Sequence, residues 1–173
     1  MNTSEIALYR EGVNKLLELK IDQQITNGFP EHASVLFEQF FKHSQKQVRI
    51  FCKNMSAQVF DSPSVIDAAK NAINRGVLVE VVLQEDGPES AEMNALAKTG
   101  RGLVIHKAVN DAVREAPFNF TVMDDRAYRF ESDRNTIKAV ANMFDSKVAL
   151  LLIRNFELMQ ASSDKLELSA AHA

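Results

Sequence analysis

From Ser4 to Lys20 the apolar residues Ile6, Tyr9, Val13, Leu16 and Leu17 fall on one face of a helix. Thr3 or Ser4 can cap it. This stripe can dock on the rest of the domain or on a partner helix, and the pattern leaves both open. Ile21 to Phe29 has no periodicity and ends in Asn27-Gly28, so it reads as a linker. Pro30, a good first-turn residue, opens a second helix carrying Val35, Leu36, Phe37, Phe40 and Phe41.

The period changes at Gln47. Val48-Arg49-Ile50-Phe51-Cys52 reads as a strand. Lys53 to Ser62 reads as a polar loop, and Ser62-Pro63 opens a helix through Val65, Ile66, Ala68, Ala69, Ala72 and Ile73 that stops at Arg75-Gly76. The run Val77 to Leu83 is β-branched and apolar, as in a strand buried on both faces. Strand, helix, strand predicts a right-handed crossover and a parallel pair. A short helix over Ser90 to Thr99 and a strand over Leu103 to His106 follow. Asn110 to Pro117 reads as a connection. Phe118 to Met123 and Ala127 to Phe130 form a hairpin around Asp124-Asp125-Arg126. Asn135 to Ala141 is a weak, short helix after Asp133. A strong helix spans Ser146 to Gln160, and Ser162 to Ala173 reads as a frayed tail.

Composition narrows the class. The chain has 173 residues, 46% hydrophobic and 25% charged, which suits one globular domain with a real core. A net charge of −3 disfavours a general nucleic-acid binder while leaving room for a local basic patch. A single cysteine, Cys52, forms no internal disulfide and fits a reducing compartment. There is no long apolar run, and Met1 to Glu5 lacks the basic start of a signal peptide. The expectation is a cytoplasmic protein with no membrane span.

Several segments share one further property. Gln47 to Phe51, Asp61 to Ala69, Asn74-Arg75-Gly76-Val77 to Leu83 and Phe120 to Tyr128 come in the order and spacing of one known family. The block from Gln47 to Gln160 resembles the phospholipase D superfamily, specifically its small single-motif members. The resemblance implies an α/β fold, a phospholipase D-like mixed β-sheet flanked by helices and preceded by an N-terminal helical segment. It divides the chain into residues 1–46 packed on the core, a core over 47–161, and a flexible tail over 162–173. It also implies a homodimer, because small members complete their site across two chains.

The family's chemistry needs a histidine, a lysine two residues on, and an aspartate five beyond that. The histidine attacks phosphorus and the lysine neutralises phosphate charge. With the hairpin as register the aspartate is Asp124, the histidine position is Pro117 and the lysine position is Asn119. None of His32, His43, His106 and His172 is followed two residues later by lysine. No catalytic residue is therefore assigned. The residues left to line a remnant cleft are Asn119, Asp124, Arg126, Ser132 and Asn135. Ser132 and Asn135 could instead cap the following helix.

Other residues have plainer roles. His106 could be a base, though a lone strand histidine is more often structural. Asp124-Asp125 suits a turn better than a metal. Glu85-Asp86 sits in the loop after a buried strand, where sites occur but solvated acids are commoner. Arg126, Arg129 and Arg134 could meet phosphate or pair with Asp124, Asp125, Glu131 and Asp133. Cys52 reads as a buried small hydrophobe. No cofactor or metal is expected. The leading expectation is a non-catalytic, homodimeric interaction or regulatory module with a protein partner. The alternatives are a ligand or nucleic-acid binding module using the cleft, and a phosphodiesterase with atypical residues.

Overall fold

The computed structural model describes residues 3–167. Helix α1 (Thr3–Glu18) leads into strand β1 (Gln24–Asn27) and helix α2 (Pro30–His43). Then come β2 (Gln47–Cys52), α3 (Ala57–Phe60), α4 (Pro63–Asn74), β3 (Leu78–Leu83), α5 (Ala91–Lys98) and β4 (Leu103–Ala108). The last part is α6 (Asp111–Arg114), β5 (Asn119–Met123), β6 (Ala127–Glu131), β7 (Ala139–Asn142), α7 (Ser146–Ala161) and β8 (Ser163–Lys165).

All strands join one sheet in the order β1-β7-β6-β5-β2-β3-β4-β8. The expected crossover is present: β2 and β3 run parallel from Gln47↔Leu78 to Cys52↔Leu83, joined through α4. β4 adds in parallel beyond β3. The expected hairpin is β5–β6, with Asn119 opposite Glu131 and Met123 opposite Ala127. Gly102, at φ +64, lets β4 start against α4, since a Cβ there would lie 2.7 Å from Ile73.

Strand alternation sorts the core into two sides. On one side Val48, Ile50, Val79, Val81 and Leu83 pack under Phe37, Phe41 and the α4 residues Val65, Ala69 and Ala72. On the other side Phe51, Val82, Phe120 and Val122 pack under Ala149, Leu152 and Phe156 of α7. α2 is buried nearly all round, from Ala33 to Phe41, because the sheet, α1 and α4 surround it.

Several expectations fail on this architecture. The linker Ile21 to Phe29 contains β1, an edge strand held by antiparallel pairing to β7. The loop after β2 contains α3, and the Asn110 to Pro117 connection contains α6. The weak helix over Asn135 to Ala141 is instead a turn followed by β7, which lies between β6 and β1. Ser132 and Asn135 therefore cap no helix. The frayed tail begins with β8, paired to β4 through His106↔Lys165, Lys107↔Asp164 and Ala108↔Ser163. Residues 168–173 of that tail lie outside the described residues.

The helix α1 docks within the chain. Val13, Leu16 and Leu17 are buried against Val35, Leu36, Phe40 and Met143, with Ile6 and Tyr9 at the margin. Tyr9 stacks on His32 with ring centroids 3.8 Å apart. The buried carboxylate of Glu38 accepts from Arg10 of α1 and Lys42 of α2. Burial alone would raise the pKa of Glu38, but these two cations outweigh it and hold the group below its usual range. The five residues put forward for a partner helix are thus engaged internally. Among the described residues no helix is long and apolar enough to cross a membrane.

Candidate functional site

The carboxyl ends of β2 and β3 are where an open α/β sheet normally carries its site. A cavity of about 220 Å³ opens at the carboxyl end of β2, between it and the β5–β6 pair, on the side of the sheet covered by α2. Phe37, Met55, Val59 and Phe60 contribute its apolar walls, and Lys53, Asn54, Arg134 and Asn135 are among its polar residues.

Asn119, Thr121, Arg129 and Glu131 also line it, because alternation on β5 and β6 turns these positions toward α2. They are wired together. The Asn119 carbonyl oxygen accepts the Lys53 backbone N–H at 3.0 Å. The Asn119 amide donates to the Glu131 carboxylate. Glu131 pairs with Arg129, both almost fully buried. Arg129 Nε donates to Asn27 Oδ1 and its Nη2 to the Ile137 carbonyl, each at 3.1 Å. Its guanidinium lies 5.8 Å from the Phe37 ring centroid. The buried charges are therefore compensated, which burial demands. The network ties β1, β5 and β6 together under the cavity.

The sequence-expected cleft residues scatter. Asn119 and Asn135 reach the cavity. Asp124 does not: it sits at the far end of β5, in the hairpin turn at φ 53. Its carboxylate accepts the backbone N–H groups of Gln45 at 3.1 Å, Lys46 at 2.9 Å and Gln47 at 3.0 Å. It fastens the α2–β2 connection to the hairpin. Arg126 donates to the His43 carbonyl at 3.0 Å and lies over the Phe144 ring at 5.0 Å. Ser132 lines a separate groove with Phe130 and Val140. The cleft set reduces to Asn119 and Asn135, joined by Lys53, Arg129, Glu131 and Arg134.

Of the three arginines, only Arg129 makes the expected acid pair, with Glu131. Arg134 donates to the Arg114 carbonyl. His106 lies on the α7 side of the sheet, its Nε2 3.2 Å from the Gln160 amide nitrogen, and burial lowers its pKa. Glu85 pairs loosely with Lys53 at 3.6 Å, and Asp86 pairs with Lys107 at 2.7 Å. Burial pushes the Cys52 thiol up to about 12, which favours its protonated form. Among the described residues no group of three or more His, Cys, Asp or Glu side chains is placed to hold a metal ion.

No protein-family sequence model matches the chain, and no curated protein matches it by sequence. Its structure does find counterparts. Nuc from Salmonella typhimurium, a phospholipase D family member, superposes with a TM-score of 0.66 at 19% identity, over 85% of this chain and 99% of that one. The fold is that of the phospholipase D superfamily. NucT from Helicobacter pylori gives a TM-score of 0.57 at 12% identity, over 83% of this chain and all of that one. TrmBL2, an archaeal chromatin protein whose structure is described as showing a novel mode of DNA binding, gives 0.60 at 14% identity. That match covers 94% of this chain but 64% of TrmBL2. The phospholipase D-like core thus holds its cavity at the carboxyl end of β2, beside β5 and β6, with a buried ion pair beneath it.

Proposed function

We propose that this chain is a non-catalytic phospholipase D-like protein that works as a homodimeric interaction or regulatory module. One observation carries the reading. In the register given by Asp124, the family's histidine and lysine positions are Pro117 and Asn119, and the Asn119 side chain is bound between the Lys53 backbone and Glu131. Proline offers no nucleophile. An amide already engaged on both sides neutralises no phosphate charge. The homodimer follows from the resemblance to single-motif members.

The test is turnover. The full chain at micromolar concentration should release nitrophenol from bis(para-nitrophenyl) phosphate no faster than buffer does. Release that scales with protein concentration and is abolished by Asn119→Ala overturns the reading.

A second reading rests on the cavity and on the likeness to TrmBL2: the cleft binds a ligand or nucleic acid without cutting it. Lys53 and Arg134 supply the positive charge. Titration with labelled single-stranded and duplex DNA at low salt separates the two. Binding that weakens with added salt and with Lys53→Ala favours the second.

A further inference from the structure

The two ends of the sheet are finished differently. At one end, β8 is three residues long and carries Asp164 and Lys165. Charge and shortness are the usual protection of a free edge against further pairing. At the other end, β1 is Gln24-Ile25-Thr26-Asn27, with no charge and no proline. Its register with β7 is unbroken from Gln24↔Asn142 to Asn27↔Ala139, so no bulge twists it away. Among the described residues no strand pairs with its outer side, so half of its backbone N–H and C=O groups face outward. Asn27 holds this edge in place: its amide donates to the Ile137 carbonyl, and its Oδ1 accepts from Arg129.

Beside this edge runs an open groove of about 530 Å³. The strand register orders its lining. Thr26, Val140 and Phe130 form one row across β1, β7 and β6. The row lies on the α7 side of the sheet, where Phe130 and Val140 join the apolar cluster but stay half-buried, and Thr26 is exposed. Two residues along, Gly28, Lys138 and Ser132 line the next row on the same side. Gly28 leaves that row without a side chain at the edge, and a Cβ there would meet nothing within 4 Å. Lys138 is exposed, and among the described residues it has no ion-pair partner.

We infer that β1 is a docking edge for an extended segment of a partner protein, which pairs along it and lays an apolar and an acidic side chain, two residues apart, in the groove. The inference rests on the interaction-module reading above and gives the module its partner; it does not need the homodimer. Main-chain hydrogen bonds along an edge supply affinity, and alternate side chains supply specificity. A side chain opposite Thr26 falls on the groove side and reaches over it towards Val140 and Phe130, which favours an apolar group. The next side chain on that side lies opposite Gly28, with Lys138 beyond it, which favours a carboxylate. A helix fits less well, because its own backbone groups are already paired and would leave those of β1 unmet.

NMR titration of the full chain with two peptides of about eight residues tests this. Each peptide alternates threonine and valine and carries one phenylalanine and one glutamate two residues apart, one peptide in each order. Amide shifts should centre on residues 24–28 and 138–140 and saturate below about 1 mM peptide. Gly28→Val places a side chain in the groove without a clash, so the chain should stay folded while binding weakens at least about tenfold. Lys138→Glu should weaken binding about fivefold, and replacing the peptide's glutamate by lysine should restore it. No shift with either peptide at about 1 mM overturns the inference. So do shifts centred on Lys53 and Asn135 in the cavity, or binding indifferent to both variants. Shifts at β1 that grow with protein concentration alone would put a second copy on this edge and overturn it too. None of these outcomes touches the non-catalytic reading, which nitrophenol release decides separately.

Discussion

The two faces of this sheet are covered by very different means. On one face α2, α4, α3 and α5 form a continuous layer, and α1 forms a second layer on α2. Behind that layer lie Phe40, Phe41, Leu36 and Met93, all fully buried, and the compensated Arg129–Glu131 pair. On the other face α7 is the main cover, and it leaves three leucines in solvent. The sheet beside α7 is polar where it is bare: Glu80 accepts from Gln47 and Gln160, and Gln160 reaches His106. One face is finished within the chain, while the other leaves leucines of α7 exposed. The cavity lies on the finished face.

The largest effect should come from the finished face. Phe40→Ala removes a ring packed between α1, α2 and the sheet, and should cost about 3–5 kcal/mol. Denaturant unfolding measures it, and a loss under about 1 kcal/mol would mean that this layer is loosely packed. Asp124→Ala comes next. It strips the acceptor from three consecutive backbone N–H groups and should cost about 1–3 kcal/mol by the same measurement. Asp124→Asn should cost less, since it keeps an acceptor oxygen and tolerates the positive φ.

The smallest effect is a pH dependence shared by both faces. Burial lowers the pKa of His32, His43 and His106 below the ordinary 6.5, and for His43 the charges of Arg126, Lys42 and Arg75 add to it. The unfolded chain then takes up protons first as pH falls through 6.5. Stability is full above that pH and declines below it. Thermal melts from about pH 7.5 to about 5.5 should show a falling Tm. His43→Gln should remove part of the slope from the finished face, and His106→Gln part from the open face. A Tm constant across that range contradicts these shifts.

Much of the sheet was legible because its strands announce themselves. Val77 to Leu83 is apolar and β-branched, and the β5–β6 hairpin alternates around two aspartates. The missed strands lack that local signal. Gln24-Ile25-Thr26-Asn27 is short and mostly polar, and Ala139-Val140-Ala141-Asn142 is weak in β-formers. Each becomes a strand through pairing with the other, a non-local cause that no window of sequence contains. The site was half legible. Asn119 was found from the family's motif, and Arg129 with Glu131 was read as one of several pairings near the hairpin, without a place in the cleft. Parity along the hairpin held the missing signal: Asn119 opposes Glu131 and Thr121 opposes Arg129, so all four share one face. The same parity turns Ser132 away from them.

The account depends most on the Arg129–Glu131 pair being a buried structural element beneath the cavity, and a double-mutant cycle in denaturant measures that directly. Glu131→Leu alone should cost about 3–5 kcal/mol, because it leaves the Arg129 guanidinium buried without its counter-charge. Arg129→Met with Glu131→Leu should regain most of that loss, giving a large coupling between the two positions. Single variants that cost little, with no coupling, would mean that the pair stands in solvent, and the Glu131-engaged Asn119 amide on which the non-catalytic reading rests would be contradicted.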